Sequence, residues 1–158
     1  MVFGRRAFAL IALLCAVALS VAVWMQHGGG VQPCPWCVLQ RLEVIAILFT
    51  ALLALAGPAK AGTGLALFIV VLAGLGAASA LWQLLVASSQ PSCDLTFADQ
   101  FMGATGLAEL WPALFMPLGS CADAAVRLLG LPFELYRLGL FLVVLALGIG
   151  RARYHHLR

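Results

Sequence analysis

Hydrophobic residues fill four long runs of the chain, and stretches that contain polar residues separate these runs. The runs lie at about residues 7–25, 38–56, 64–87 and 132–150. Each run is close to the roughly 20 apolar residues that an α-helix needs to cross the hydrocarbon core of a bilayer. The pattern therefore predicts four membrane-spanning helices.

Two connections between these runs are longer than the third, at about residues 26–37 and 88–131. Because successive spans cross the membrane in opposite directions, both longer connections lie on the same side of it. We therefore predict an all-α integral membrane protein, a four-helix up-and-down bundle that forms a single domain over residues 1–158.

The second connection contains an apolar segment of its own, Leu110–Leu118. This segment is too short to span a bilayer, and its two prolines oppose a long helix. We expect it to lie in the membrane interface, with Trp111 at headgroup depth, and to hold Cys121 close to Cys34. A small packed core within the loop is the alternative interpretation.

Composition supports a membrane location. Hydrophobic residues make up 64% of the chain and charged residues only 9%, whereas soluble domains carry roughly 25% charged residues. This composition argues against a soluble helical bundle. Glu43, Glu134 and Arg137 lie near the starts of the second and fourth spans, where we expect their long side chains to reach interfacial water.

Basic residues predict the orientation of the spans. They precede the first span, occupy the short connection between the second and third, and follow the fourth, and these three segments contain no Asp or Glu. The residues are Arg5, Arg6, Lys60, Arg151, Arg153 and Arg158. Because Lys and Arg collect on the cytoplasmic side, both termini should be cytoplasmic and the two longer loops outside. The net charge of +3 is then a topology signal, and no nucleic-acid partner is expected.

Four of the five cysteines fall in the two outside loops, Cys34 and Cys37 in the first and Cys93 and Cys121 in the second. The fifth, Cys15, lies within the first span, where a cysteine usually acts as a small hydrophobic residue. Disulfides persist outside the reducing cytosol, so the loop positions favour bonded cysteines. No metal site is expected, because structural zinc sites usually combine two close pairs and only one pair here is close.

Structural disulfides and redox-active cysteines both fit this spacing. In the loop-entropy model, a Cys93–Cys121 disulfide would contribute roughly 3.6 kcal/mol and a Cys34–Cys37 disulfide roughly 1.9 kcal/mol before strain. The shorter bond would therefore stabilise little. Its Cys-x-x-Cys spacing is also one in which thiol pKa values are commonly lowered, so a redox role is favoured for Cys34 and Cys37.

Arg41 follows Cys37 by four residues, which is one helical turn along the predicted second span. At that spacing a guanidinium can stabilise a thiolate or a negatively charged ligand oxygen, and an anchor in the membrane interface is its alternative use. The N-terminal end of a helix likewise favours a thiolate at Cys37. Because the pair is predicted to lie at the membrane surface, a lipid-soluble quinone could reach it laterally and accept its electrons.

The stretches "PCPWCVLQR", "QPSCDLTF" and "GSCADAAVRLLGLPFELY" resemble the bacterial disulfide bond formation protein B (DsbB) family, and the resemblance covers essentially the whole chain. It implies a multi-pass protein of the bacterial inner membrane whose cysteine loops are periplasmic. It also implies a thiol:quinone oxidoreductase that reoxidises a soluble, periplasmic thioredoxin-fold oxidase of the DsbA kind. The electrons would pass to the membrane quinone pool, as ubiquinone or menaquinone.

The resemblance also implies a role for each cysteine. Cys93 is attacked by the thiolate of the partner, and Cys121 then exchanges with Cys34. Cys37 engages the quinone. Arg41 would hold a quinone oxygen. Gln83, near the end of the third span, is a further candidate for lining the quinone site, with packing as its alternative use.

Two other classes of protein remain alternatives. One is a quinone-linked enzyme resembling vitamin K epoxide reductase, although the close cysteine pair of that family comes late in the chain. The other is a non-enzymatic membrane protein whose cysteines form structural disulfides.

Overall fold

The four apolar runs form four long helices. The structure, a computed structural model, describes residues 2–89, 96–122, 124 and 126–156. In chain order its helices are α1 Val2–His27, α2 Pro35–Ala56, α3 Gly62–Leu85, α4 Phe97–Thr105, α5 Leu107–Leu110, α6 Pro112–Phe115 and α7 Phe133–His156. Within the described residues, α1, α2, α3 and α7 are long and apolar enough to cross a membrane. The predicted all-α membrane fold is confirmed.

The helix bounds differ from the predicted runs by a few residues. α2 begins at Pro35, three residues before the predicted start, because Cys34 caps the helix and proline is preorganised for the first helical position. α1 already begins at Val2 and α7 continues to His156, so Arg5, Arg6, Arg151 and Arg153 are helical as well. Short 3₁₀ turns occur at Ala59–Ala61 and Ala87–Ser89.

The long helices form a closed ring of neighbours. α1 packs on α2, α2 on α3, α3 on α7, and α7 on α1, which is the packing of an up-and-down bundle. α3 and α7 approach each other closely at Gly76, where an added methyl group would overlap the ring of Phe141. Small residues at such positions allow close packing between membrane helices.

Buried side chains form two separate groups. The apolar core consists of Phe8, Ile11, Ala12, Cys15, Val44, Ile47, Ala51, Ala66, Ile69, Ala73, Ala80, Phe141, Val144 and Ala152. The cysteine cluster, at the end of the bundle where α2 begins, consists of Cys34, Trp36, Cys37, Val38, Leu39, Ala87, Ala98, Met102, Phe115, Cys121 and Ala124. Because the second group includes residues of α4 and α6, the long loop covers the start of α2.

The loop between α3 and α7 also contains an antiparallel hairpin, which the sequence predicted only as loop. Its strands are β1 Arg127–Leu128 and β2 Leu131–Pro132. Leu129 and Gly130 form the turn, and both have positive φ, 52° and 85°. Two consecutive residues with positive φ are typical of tight two-residue hairpins.

The long loop is attached to the shorter one by main-chain contact. The backbone N–H of Leu118 donates to the carbonyl oxygen of Pro33 at 2.9 Å. Nearby, Phe115 is 4% exposed within the cysteine cluster, whereas Leu110 and Trp111 are 76% and 65% exposed. One side of this apolar segment therefore packs as a small core, and its other side is available to the membrane interface.

Candidate active site

The cysteines of the first loop lie at the start of α2 because the local sequence caps a helix there. Cys34 precedes the helix with an extended backbone, and its Sγ accepts a hydrogen bond from the backbone N–H of Cys37 at 3.4 Å. Pro35 occupies the first helical position, where the N–H that proline lacks would have no acceptor within the helix. The cap brings the Sγ atoms of Cys34 and Cys37 to 3.0 Å. Both are free thiols, and both are almost fully buried.

The two thiols have different surroundings. The hydrogen bond with Cys37, together with burial, raises the pKa of the Cys34 thiol, so Cys34 keeps its proton at neutral pH. Cys37 lies in the first turn of α2, where free N–H groups and the helix dipole favour negative charge. The geometry therefore suits a pair in which Cys34 is the proton holder and Cys37 carries the negative charge.

Gln83 contacts the pair from α3. It is fully buried, and its Nε2 donates to the Sγ of Cys37 at 3.4 Å and to the Sγ of Cys34 at 3.6 Å. Its Oε1 accepts a hydrogen bond from Nε2 of Gln40 at 2.9 Å. Gln83 thus contacts the sulfurs from the α3 side. Its predicted role in quinone binding stays a prediction.

Cys37 also lines a cleft between α1, α2 and α7, with a volume of about 180 Å³. The polar side chains of this cleft are Cys37, Gln40, Arg41, Tyr136 and Arg137, and its other walls are apolar. The lining includes Val21, Leu128 and Tyr136, which are partly exposed. The cleft therefore opens to the side surface of the bundle, where lipid would lie.

Arg41 joins this cleft to the long loop. Its Nη1 donates to Oε1 of Gln26 at 2.7 Å and to the carbonyl oxygen of Leu114 at 2.6 Å. Its Nε is buried and has no hydrogen-bond partner among the described residues. Arg41 is thus both an anchor for the loop and a free donor beside Cys37, whereas the sequence suggested only the second role.

The charged residues at the start of α7 face the bundle to different extents. Glu134 is only 2% exposed, and Arg137 turns into the cleft, where its Nη1 donates to Oε1 of Gln40 at 3.1 Å. The expectation that Glu134 reaches interfacial water is wrong, because its side chain is buried in the bundle. Arg137 is half-buried, and the expectation that it reaches interfacial water stays a prediction. A signal for Arg137 was available: like Arg41, it is an arginine near the end of a span that the charge pattern predicts to be periplasmic, where basic residues are uncommon.

The remaining cysteines divide between the two buried groups. Cys121 is disulfide-bonded and lies in the cysteine cluster with Cys34 and Cys37. Cys15 is a free thiol in the apolar core, as predicted. Cys93 lies outside the described residues. Within the described part of the chain, no group of three or more His, Cys, Asp or Glu side chains could hold a metal ion.

The chain that carries this cysteine pair matches a known protein family. A family model described as disulfide bond formation protein DsbB matches residues 4–150, nearly the whole chain. The chain belongs to the DsbB family. It is therefore a multi-pass membrane protein and a disulfide-generating oxidoreductase, and the family assignment does not favour the two alternative classes.

Individual members of the family match over most of their length. The disulfide bond formation protein B of Aromatoleum aromaticum is 36% identical to this chain, over 82% of this chain and 81% of the relative. The one from Marinobacter nauticus is 34% identical, over 92% and 90% of the two chains. The one from Cupriavidus necator is 32% identical, over 95% and 94%.

Proposed function

We propose that the protein is a membrane thiol:quinone oxidoreductase. It takes electrons from a soluble dithiol protein through its cysteines and passes them to a quinone of the membrane. The observation that carries this proposal is the position of Cys37. Its sulfur contacts that of Cys34, and its side chain lines a cleft that opens to the lipid-facing surface.

The residues of the cleft fit the ring of a quinone. An apolar cavity of about 150 Å³ holds benzene, so about 180 Å³ has room for one substituted ring, and an isoprenoid tail can leave through the mouth. The apolar walls suit the ring. Arg41 would hold a ring oxygen, because its Nε is a buried donor without a partner among the described residues.

A bound quinone supplies an acceptor for two electrons and two protons. With Cys37 as a thiolate, formation of the disulfide releases two electrons and the one proton that Cys34 holds, so the second proton of the quinol would come from water. The proton on Cys34 must leave as the sulfur–sulfur bond forms. The hydrogen bond between the two sulfurs directs this proton toward Cys37, which lies beside the cleft.

The second cysteine pair would connect this site to the partner. Cys121 is 1% exposed in the cluster that contains Cys34, which supports exchange between these two residues inside the protein. Cys93 would then receive the attack from the thiolate of a thioredoxin-fold oxidase of the DsbA kind. Both cysteine loops would face the periplasm and both termini the cytoplasm of a bacterial inner membrane.

Quinone reduction by the purified protein tests this proposal. The full-length protein in lipid nanodiscs receives a reduced thioredoxin-fold oxidase and a short-tailed ubiquinone or menaquinone. Loss of the quinone's ultraviolet absorbance measures turnover. We expect turnover by the wild-type protein and none by Cys37→Ser. If disulfide exchange with the donor proceeds while neither quinone is reduced, the proposal is wrong.

The same assay tests the role of Arg41. Arg41→Met should raise the KM for quinone about tenfold, because a donor to the ring oxygen is lost. Disulfide exchange with the partner should survive. Arg127→Met is the matched control, since Arg127 lies exposed on the hairpin and does not line the cleft. Equal KM values in the Arg41 variant and the wild-type protein would remove Arg41 from the quinone site.

A further inference from the structure

Three side chains from three helices form a hydrogen-bonded chain that ends on the cysteine sulfurs. Arg137 of α7 donates through Nη1 to Oε1 of Gln40 on α2 at 3.1 Å. Gln40 donates through Nε2 to Oε1 of Gln83 on α3 at 2.9 Å. Gln83 donates through Nε2 toward the sulfurs of Cys37 and Cys34. We term Arg137, Gln40 and Gln83 the amide chain.

The guanidinium at one end determines the direction of every hydrogen bond in the amide chain. A guanidinium has only donors, whereas a carboxamide has an acceptor oxygen and a donor NH₂ group. Arg137 therefore requires the oxygen of Gln40, which turns the NH₂ group of Gln40 toward α3. That NH₂ group requires the oxygen of Gln83, which leaves the NH₂ group of Gln83 facing the sulfurs.

Burial holds the amide chain in this arrangement. Gln83 is fully buried and Gln40 is 2% exposed, so neither amide has bulk water as an alternative partner. The guanidinium carbon of Arg137 lies 4.7 Å from the centroid of the Phe133 ring, one turn earlier on α7. Hydrogen bonds in such surroundings are stronger than in water, and linked hydrogen bonds polarise one another.

We propose that Arg137 is a positioning residue that fixes, through Gln40, the orientation in which Gln83 donates its NH₂ group to the sulfurs of Cys34 and Cys37. This inference rests on one part of the proposed function, namely that Cys34 and Cys37 alternate between disulfide and dithiol. It does not depend on which molecule finally accepts the electrons.

The orientation of Gln83 matters for the redox balance of the pair. Reduction breaks the sulfur–sulfur bond and adds two electrons. One proton goes to Cys34, and a second is taken up only when Cys37 becomes neutral. Donors stabilise a negatively charged sulfur more than a neutral disulfide sulfur. The amide chain therefore stabilises the reduced pair and makes the disulfide a stronger oxidant toward Cys121.

The glutathione equilibrium of the full-length protein tests this inference. The Cys34–Cys37 pair is read by alkylation and mass spectrometry of the peptide that contains both. Arg137→Met and Gln40→Met should each shift the equilibrium constant about tenfold toward the disulfide, which is about 30 mV for this two-electron couple. Arg137 also interacts directly with the sulfur of Cys37, so Arg137→Met should shift the equilibrium at least as far as Gln40→Met. Because the chain acts as a unit, the double variant should shift no further than Arg137→Met alone. Arg127→Met should leave the constant unchanged.

Several results would overturn the inference. A shift in Arg137→Met without a shift in Gln40→Met would assign the effect to the charge of Arg137 acting through space. No shift in either variant, a shift toward the dithiol, or two shifts that add in the double variant would also contradict it. If Arg137→Met does not fold, Arg137→Gln replaces it. The introduced amide can accept as well as donate, so it no longer fixes the direction and should shift the equilibrium the same way.

The equilibrium contains no quinone, so its outcome is separate from that of the quinone assay. Normal quinone reduction with an unshifted equilibrium would reject the amide chain alone. A shifted equilibrium without quinone reduction would reject the quinone proposal alone.

Discussion

The apolar core and the cysteine end of the bundle are built on the same long helices, but their side chains are held in different ways. In the apolar core the contacts are between hydrocarbon groups, and the nearby hydroxyl of Thr50 donates to the carbonyl oxygen of Ala46 in its own helix. At the cysteine end, side chains donate from one helix to another, as Gln40 does to Gln83 and Arg137 does to Gln40.

This difference indicates that the apolar core serves the stability of the protein and the cysteine end serves its redox chemistry. Polar side chains are costly inside a membrane, and a hydrogen bond between membrane helices contributes only about 0.6 kcal/mol on average. Stability is therefore a weak reason for so many polar side chains at one end. Their arrangement around two sulfurs is a stronger reason. We expect changes in the apolar core to alter unfolding and changes at the cysteine end to alter redox chemistry.

Two cysteines should give the largest contrast. Cys37→Ala removes the sulfur that lines the cleft, so disulfide generation should fall to the uncatalysed background. Cys15→Ala removes one buried sulfur from the apolar core and should cost about 1 kcal/mol of unfolding free energy while turnover is kept. Turnover with a reduced thioredoxin-fold donor and a denaturant titration measure the two effects. A folded but inactive Cys15→Ala protein would contradict the expected difference between the apolar core and the cysteine end.

The rates at which a reagent alkylates the cysteines of the reduced protein should differ among Cys37, Cys34 and Cys15. Cys37 lines the cleft, so a small alkylating reagent should modify it about tenfold faster than Cys34, and Cys15 should stay unmodified in the folded protein. The hydrogen bond with Cys37 and burial raise the pKa of Cys34 above its ordinary value of 9.0. A raised pKa keeps the thiol protonated, so labelling of Cys34 should still be increasing with pH above 9.0.

Mass spectrometry of timed samples across a pH series measures these rates. Cys37→Ala sharpens the test, because it removes the hydrogen bond that raises the pKa of Cys34. In that variant the labelling profile of Cys34 should move to lower pH. An unmoved profile would mean that burial alone sets the pKa.

The four long helices could be predicted from the sequence because each apolar run repeats its signal over about twenty residues. The apolar run predicts the start of α2 three residues too late, because Pro35 and Trp36 precede the run although they lie in the first turn of the helix. The hairpin at Leu129 could not be predicted, because a leucine with positive φ is uncommon.

The site could be predicted where its residues are close in sequence. Cys34, Cys37 and Arg41 share the first turns of one helix, and spacing alone relates them. Arg137 and Gln40 are 97 residues apart, and their contact depends on which faces of α2 and α7 meet. A span that is apolar on all sides does not indicate which face it presents, so this part of the site required the structure.

Packing of the apolar core should have the next largest effect. Gly76→Ala places a methyl group against the ring of Phe141, and overpacking of this kind costs about 1–3 kcal/mol. Gly74→Ala is the matched control on the same helix, because no atom lies within 4 Å of the added methyl group. It should be neutral or slightly stabilising. Denaturant midpoints in detergent measure both, and equal midpoints would contradict the close contact between α3 and α7.

The smallest effect should come from a hydrogen bond between helices, one turn away from Gly76. The Oγ of Ser79 lies 3.2 Å from Oε2 of Glu43 on α2 and 2.9 Å from the carbonyl oxygen of Gly76. Ser79→Ala removes the contact to α2. Ser20→Ala is its matched control, because the Ser20 hydroxyl donates to the carbonyl oxygen of Ala16 in its own helix, at 2.8 Å, and to no other helix in the described structure.

Both serine changes gain the same intrinsic helix propensity, so the difference between their unfolding free energies isolates the contact between α2 and α3. We expect a difference of about 0.6 kcal/mol, below the cost of Gly76→Ala, measured by the same denaturant titrations. Disulfide generation should be unchanged, since neither serine contacts Cys34 or Cys37 in the described structure. If Ser79→Ala were more destabilising than Gly76→Ala, hydrogen bonds rather than packing would hold the helices, and the polar side chains around the sulfurs would need no chemical reason.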